Sequence, residues 1–221
     1  MVLSARGPDP ELVLAVRQVA AGTSMVRVAM DQLGSTEPST IAAARRFSPV
    51  RDASSRRLPV LYAGQDLGCA LGETVFHDLA DDAVDPAEVF RADLLTLRAG
   101  TIAIAADAEL ADLTDEALRA DGYHRDEVVN TGADGYGLTR LWGQYAWENT
   151  TSAGLVWNSR RSPDRLSFML FVNPPRAADR RRAFNRRDHL RVVSPPVPLY
   201  DGDGLAAVMA AAAARNVTVI M

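Results

Sequence analysis

Residues Leu58–Asp78 read LPVLYAGQDLGCALGETVFHD. The apolar run Val60–Ala63 has the length and content of a short buried strand. A turn follows, and Asp66 supplies the side-chain acceptor that a helix start requires. The pattern predicts a helix from there through about Leu79. On it Glu73 sits among Leu71, Val75 and Phe76, eleven residues after Tyr62 at the strand end. Such a carboxylate either solvates a helix face or carries chemistry, and taken alone the first reading is the commoner one.

Outward from this stretch, Pro8–Ala21 reads as a helix opening at Asp9 and closing at Gly22. Ser24–Met30, SMVRVAM, alternates like a strand and is interrupted by Arg27. Residues 31–57 are polar and irregular, a long connection of the kind that is often functional. Val89–Ala106 reads as two strands in a hairpin around Ala99-Gly100. A short helix opens at Thr114, residues 122–137 form a glycine-rich loop, and Leu138–Asn149 is helical. Ala153–Asn158 and Leu166–Val172 are strands, with another at about His189–Val193. Proline stiffens SPPVP. A helix over about Gly204–Arg215, capped near Asp203, precedes the strand Val217–Ile220. Helices and strands mix without βαβ alternation, which predicts an α+β fold in one compact domain, with mixed and antiparallel sheets and peripheral helices.

The chain has 221 residues, 48% of them hydrophobic, enough for one sizeable core. A net charge of −4 makes no general case for nucleic-acid binding. All 24 basic residues are arginine. Seven of them (Arg176, Arg180, Arg181, Arg182, Arg186, Arg187 and Arg191) crowd one segment, read as a solvated face or, alternatively, a partner surface. The one cysteine, Cys69, excludes an internal disulfide and reads as a buried small hydrophobe. Glu11 and Arg17 interrupt any signal-peptide core, and no apolar run approaches the roughly 20 residues that span a bilayer. A soluble cytoplasmic protein is the expectation.

Familiar catalytic templates are missing. Without lysine there is no phosphate loop ending in Gly-Lys, and there is no G-x-G-x-x-G, H-E-x-x-H or G-x-S-x-G. The three histidines, His77, His124 and His189, are far apart. What remains is a set of polar residues beside apolar strands: Arg27, Arg46, Tyr62, Glu73 and Ser159. Singly each has an ordinary structural reading: an edge-strand arginine, a rim tyrosine, a turn serine.

Together they resemble the RES domain, a family of bacterial toxins named for an arginine, a glutamate and a serine. Arg27 matches the arginine on the family's early strand, and Arg46-Phe47-Ser48-Pro49 its arginine–aromatic–Asn/Ser–Pro loop. Leu61-Tyr62-Ala63 followed by Ala70-Leu71-Gly72-Glu73-Thr74-Val75-Phe76-His77 matches an L-Y-A strand end and A-x-x-E-T-x-x-H. Gly154–Arg160 and Leu170-Phe171 match the late serine strand and its neighbour. The resemblance runs from about Met25 to Val172 and more weakly to Val193. It departs where the family usually has glycine and tryptophan around the loop arginine; Arg45 and Phe47 stand there, so Arg45 or Arg51 is an alternative for the role given to Arg46.

The resemblance implies an ADP-ribosyltransferase-like fold, with a catalytic domain over 24–194 between a helical extension, 1–23, and a C-terminal extension, 195–221, packed on it. It implies consumption of NAD as substrate, without a metal, by hydrolysis or phosphorolysis. Glu73, Tyr62 and Arg46 would be catalytic, and Arg27, Arg46, Tyr62 and Ser159 would bind NAD. An Xre-type antitoxin is the implied protein partner, with nucleic acid met only through it, no membrane, and a homodimer possible. The alternatives are a mono-ADP-ribosyltransferase acting on a protein, and an inactive RES-like domain or nucleic-acid- or partner-binding module.

Overall fold

The computed structural model describes residues 4–39, 45–77, 79, 86–131, 135–174 and 183–221. Its frame is a nine-stranded mixed sheet. The strands are β1 (Val16–Val19), β2 (Ser24–Met30), β3 (Val60–Gly64), β5 (Leu97–Ile104), β6 (Ala108–Leu113), β7 (Gly154–Asn158), β8 (Leu166–Phe171), β9 (Leu190–Val192) and β10 (Val197–Pro198). They run in the order β1-β6-β7-β8-β3-β2-β5-β10, with β9 also paired to β5. Among the described strands of this sheet, β6 and β7 alone are parallel neighbours. A two-stranded parallel sheet joins β4 (Ala87–Phe90) to β11 (Val217–Ile220). The helices are α1 (Leu67–Gly72), α2 (Asp115–Ala120), α3 (Arg125–Val128), α4 (Tyr136–Asn149) and α5 (Gly202–Ala213). The fold is α+β, as expected.

The central strands β7, β3 and β8 are nearly continuous apolar runs because both sheet faces are covered. Period-2 alternation then sorts side chains between cores. Val60 and Tyr62 join a cluster with Phe47, Trp142, Trp147, Trp157 and Phe171. Leu61 and Ala63 face the opposite cluster, with Met25, Ile102, Val156 and Leu170. A third cluster seats Leu71 and Phe76 against Val28, Leu199, Leu205 and Val208.

Five expectations are corrected. Residues 122–137 are not all loop: α3, capped by His124, and the start of α4 at Tyr136 fall within them. Pro8–Ala21 is not helical: Val16–Val19 pairs antiparallel with Ala108–Leu113, a strand the sequence reading missed. Strand pairing outweighs the weak helical pattern, and Val13 is left exposed. The helix after Asp66 stops at Gly72 rather than Leu79. Glu73 is its C-cap, its N–H donating to Cys69 O and Leu71 O, and β-branched Thr74 and Val75 follow. The predicted cap at its start is present, Asp66 Oδ1 accepting from Cys69 N at 2.8 Å. There is no hairpin at Ala99-Gly100: β4 leads through a 3-10 turn, Arg91–Leu94, into an unbroken β5. Gly100 serves close approach instead, since a Cβ there would lie 2.8 Å from Ser35 Oγ. Lastly, α5 begins at Gly202 with Asp201 as N-cap, rather than near Asp203. Of the arginine-rich segment, Arg176, Arg180, Arg181 and Arg182 lie outside the described residues.

Candidate active site

A cavity of about 280 Å³ opens between β2, β3, the end of α1 and the loop 45–48. It is at the small end of the roughly 300–1,000 Å³ range of ligand sites. Arg27, Tyr62 and Glu73 line it together, from three separate elements. Val28, Met30, Leu33 and Leu97 give it an apolar wall, which the sequence reading did not identify.

Glu73 is half-buried at the C-terminal end of α1, where a carboxylate meets the negative end of the helix dipole. Two donors offset this. Ser159 Oγ donates to Glu73 Oε1 at 2.8 Å, and the Arg160 N–H donates to the same oxygen at 3.2 Å. Among the described residues no donor is recorded on Oε2. Ser159 is itself fully buried, so its hydroxyl orients the carboxylate and does not line the cavity. Its loop is anchored by residues that carried no recognisable sequence signal. Arg125 Nη2 donates to Ser159 O while Nη1 pairs with Asp115 at 3.1 Å, and Arg215 Nη2 donates to Ser162 Oγ at 2.6 Å.

Arg27 is 4% exposed, and its Nη1 donates to Gly34 O and Ser35 O at 2.8 and 2.9 Å. Burial lowers its pKa to about 10, against a raising influence of Glu37, so it stays a cation at neutral pH. Tyr62 OH donates to Ser48 Oγ at 3.1 Å. Burial pushes the phenol up to about 12, so it remains a donor. Its ring meets Trp157 edge-on at 6.2 Å.

Arg46 stands behind this wall and is absent from the cavity lining. Its Nη1 donates to Thr131 O and Oγ1 at 2.9 and 3.0 Å, and its guanidinium lies 5.3 Å from the Tyr136 ring centre. Burial lowers its pKa, while Glu73 is the largest influence raising it, so the two charges sense each other. The neighbour Arg45 lines the cavity, as does Ser48. Phe47 is buried edge-on against Trp157 at 4.9 Å, a position that the aromatic of RRFSP signalled. Cys69 is fully buried with its Sγ near Leu166 O and Ser167 Oγ, as a structural cysteine would be.

The site thus sets a pinned carboxylate, a protonated phenol and guanidinium groups around a partly apolar cavity. Such a set can hold sugar hydroxyls, stabilise a developing cation and bind an anionic group. Among the described residues no helix is long and apolar enough to cross a membrane. Comparison with known proteins finds that the family model for the RES domain matches residues 21–194. A curated protein named 2-epi-5-epi-valiolone 7-kinase, from Actinoplanes sp., is 29% identical over 172 residues, covering 76% of this chain and 45% of that protein. The chain therefore spans less than half the length of this relative.

Proposed function

The chain belongs to the RES domain family, and from that premise we propose that it is an NAD-consuming toxin that cleaves the nicotinamide–ribose bond. The observation that carries this reading is the Glu73 carboxylate, pinned through one oxygen by Ser159 and Arg160 and lining one cavity with Arg27 and Tyr62. As the C1′–N bond breaks, its electron pair leaves with the nicotinamide nitrogen and neutralises the pyridinium, so no general acid is needed. The ribose becomes oxocarbenium-like, and a fixed carboxylate stabilises it more than a water-screened one would. Glu73 Oε2 accepts from ribose hydroxyls. Tyr62, protonated at neutral pH, hydrogen-bonds the ribose or carboxamide. Arg27 binds diphosphate oxygens. Arg46 balances the Glu73 charge from behind.

Water or phosphate then attacks C1′, giving ADP-ribose or its 1″-phosphate with loss of a proton to solvent. Transfer to a protein acceptor would use the same site. Phosphoryl transfer, after the kinase-named relative, has less support, because the sequence has neither lysine nor a glycine-rich phosphate loop. An Xre-type antitoxin is the proposed partner. The test is incubation of the purified chain with NAD, with and without phosphate and with a protein acceptor, followed by product identification. Free nicotinamide with ADP-ribose or its phosphate is expected. Intact NAD throughout, in folded protein, rejects the reading.

A further inference from the structure

Arg45 lines the cavity beside Arg27, Ser48 and Tyr62. Its backbone is fixed, the N–H donating to Ser48 O at 3.0 Å. Its side chain is half-buried, and among the described residues no carboxylate or carbonyl is recorded on the guanidinium. Next to it, Tyr62 OH donates to Ser48 Oγ, which leaves the Ser48 proton for an acceptor. The Arg45 charge reaches this pair, favouring negative charge at the Tyr62 oxygen against the effect of burial. Arg27 commits Nη1 to the 34–35 carbonyls, and no protein partner among the described residues is recorded for its Nε and Nη2.

Guanidinium donors that lack a protein partner among the described residues, on the wall of a partly apolar cavity, suit an anion with several acceptor lone pairs. Planar forks match phosphate oxygens two at a time. We infer that Arg45, with Arg27 and the Ser48 hydroxyl, forms a phosphate-binding subsite in this cavity. The inference rests on the cavity's being the substrate site proposed above. The Glu73 carboxylate repels a phosphate, so ribose belongs at Glu73 and the oxyanion at the Arg45 end. Arg46, committed to Thr131 and Tyr136, is left to position Glu73's surroundings. The phosphate has two sources: the diphosphate of a dinucleotide, or free phosphate attacking C1′.

Calorimetric titration distinguishes them. ADP-ribose and inorganic phosphate are titrated separately into the full chain, Arg45→Gln, Arg45→Lys and the exposed control Arg187→Gln, each checked for folding by thermal melting. Loss of one charged fork should weaken its ligand by about tenfold or more, a change expected for a charge-assisted hydrogen bond. Arg45→Lys should fall in between, and Arg187→Gln should match wild type. Weakened ADP-ribose binding assigns the subsite to the diphosphate, and weakened phosphate binding assigns it to the free anion. Equal affinity for both ligands in every folded Arg45 variant overturns the proposal. Arg45-dependent binding in a chain that never consumes NAD leaves the subsite standing and rejects only the NAD reading.

Discussion

Glu73 and Ser159 act as one unit, so their variants should differ in kind. Glu73→Gln keeps shape and an acceptor for Ser159 but removes the charge. NAD turnover should fall roughly 100-fold or more, with unfolding free energy within about 1 kcal/mol of wild type. Wild-type turnover by folded Glu73→Gln would exclude the carboxylate from the chemistry. Ser159→Ala unpins the carboxylate without touching substrate, so kcat should drop while KM for NAD stays near wild type. Tyr62 sets a pH signature. Its folded pKa, about 12, lies above the ordinary value of 10.0, so the folded chain holds a proton that the unfolded chain has lost between them. Its contribution is full below pH 10 and lost as pH rises through 12. The melting-temperature advantage of wild type over Tyr62→Phe should therefore narrow across that window. Arg27, lowered to about 10, acts with the opposite sign, but it is common to both proteins and cancels in the difference. These residues were legible in the sequence because each sits beside an apolar strand in a motif. Arg45 and Arg46 were harder to tell apart: adjacent residues in an irregular loop have no periodicity to say which one faces inward.

At the scale of elements, the RRFSP loop is held by α4 more than by its own sequence. Thr139 Oγ1 donates to Arg46 O at 2.6 Å, and Gly143 brings the helix so close that a Cβ would lie 2.1 Å from Phe47 O. Gly143→Ala should therefore push the loop off the helix and cost about 1–3 kcal/mol as overpacking, whatever alanine adds in helix propensity. Urea unfolding measures the cost, and weaker NAD binding should accompany it because Arg45 and Ser48 ride on the same loop. Stability equal to or above wild type would show that the contact is relieved cheaply. The helix itself was readable over Leu138–Asn149, but its apolar face only in part: Trp142 and Ala146 are buried, whereas Leu141 is exposed. Its partner was not, because a glycine chosen for contact with a loop 96 residues away looks like any other glycine. The missed β1–β6 pair has the same cause: pairing between Val16–Val19 and Ala108–Leu113 is a long-range fact.

Across the whole molecule, residues beyond the matched family region support the site from behind in two separable ways. Leu199, Leu205, Val208 and Val217 pack with Leu71 and Phe76 in one apolar cluster, which makes the C-terminal segment part of the core under α1. Arg215 instead reaches the serine loop, Nη1 on Ala211 O at 2.9 Å and Nη2 on Ser162 Oγ. A core truncation and a loop release should then have opposite signatures. Leu199 is fully buried, so Leu199→Ala should lower unfolding free energy by about 2–5 kcal/mol. Its kcat per folded molecule should stay near wild type at 25 °C, because the Glu73 oxygen is held through Ser159 and Arg160, not through this cluster. Arg215→Ala should cost much less stability, since the side chain is only part-buried. It should nevertheless reduce kcat several-fold, with KM for NAD little changed, by loosening the loop that orients Glu73. Parallel loss of stability and kcat in both variants would mean that the C-terminal segment supports the site only by keeping it folded.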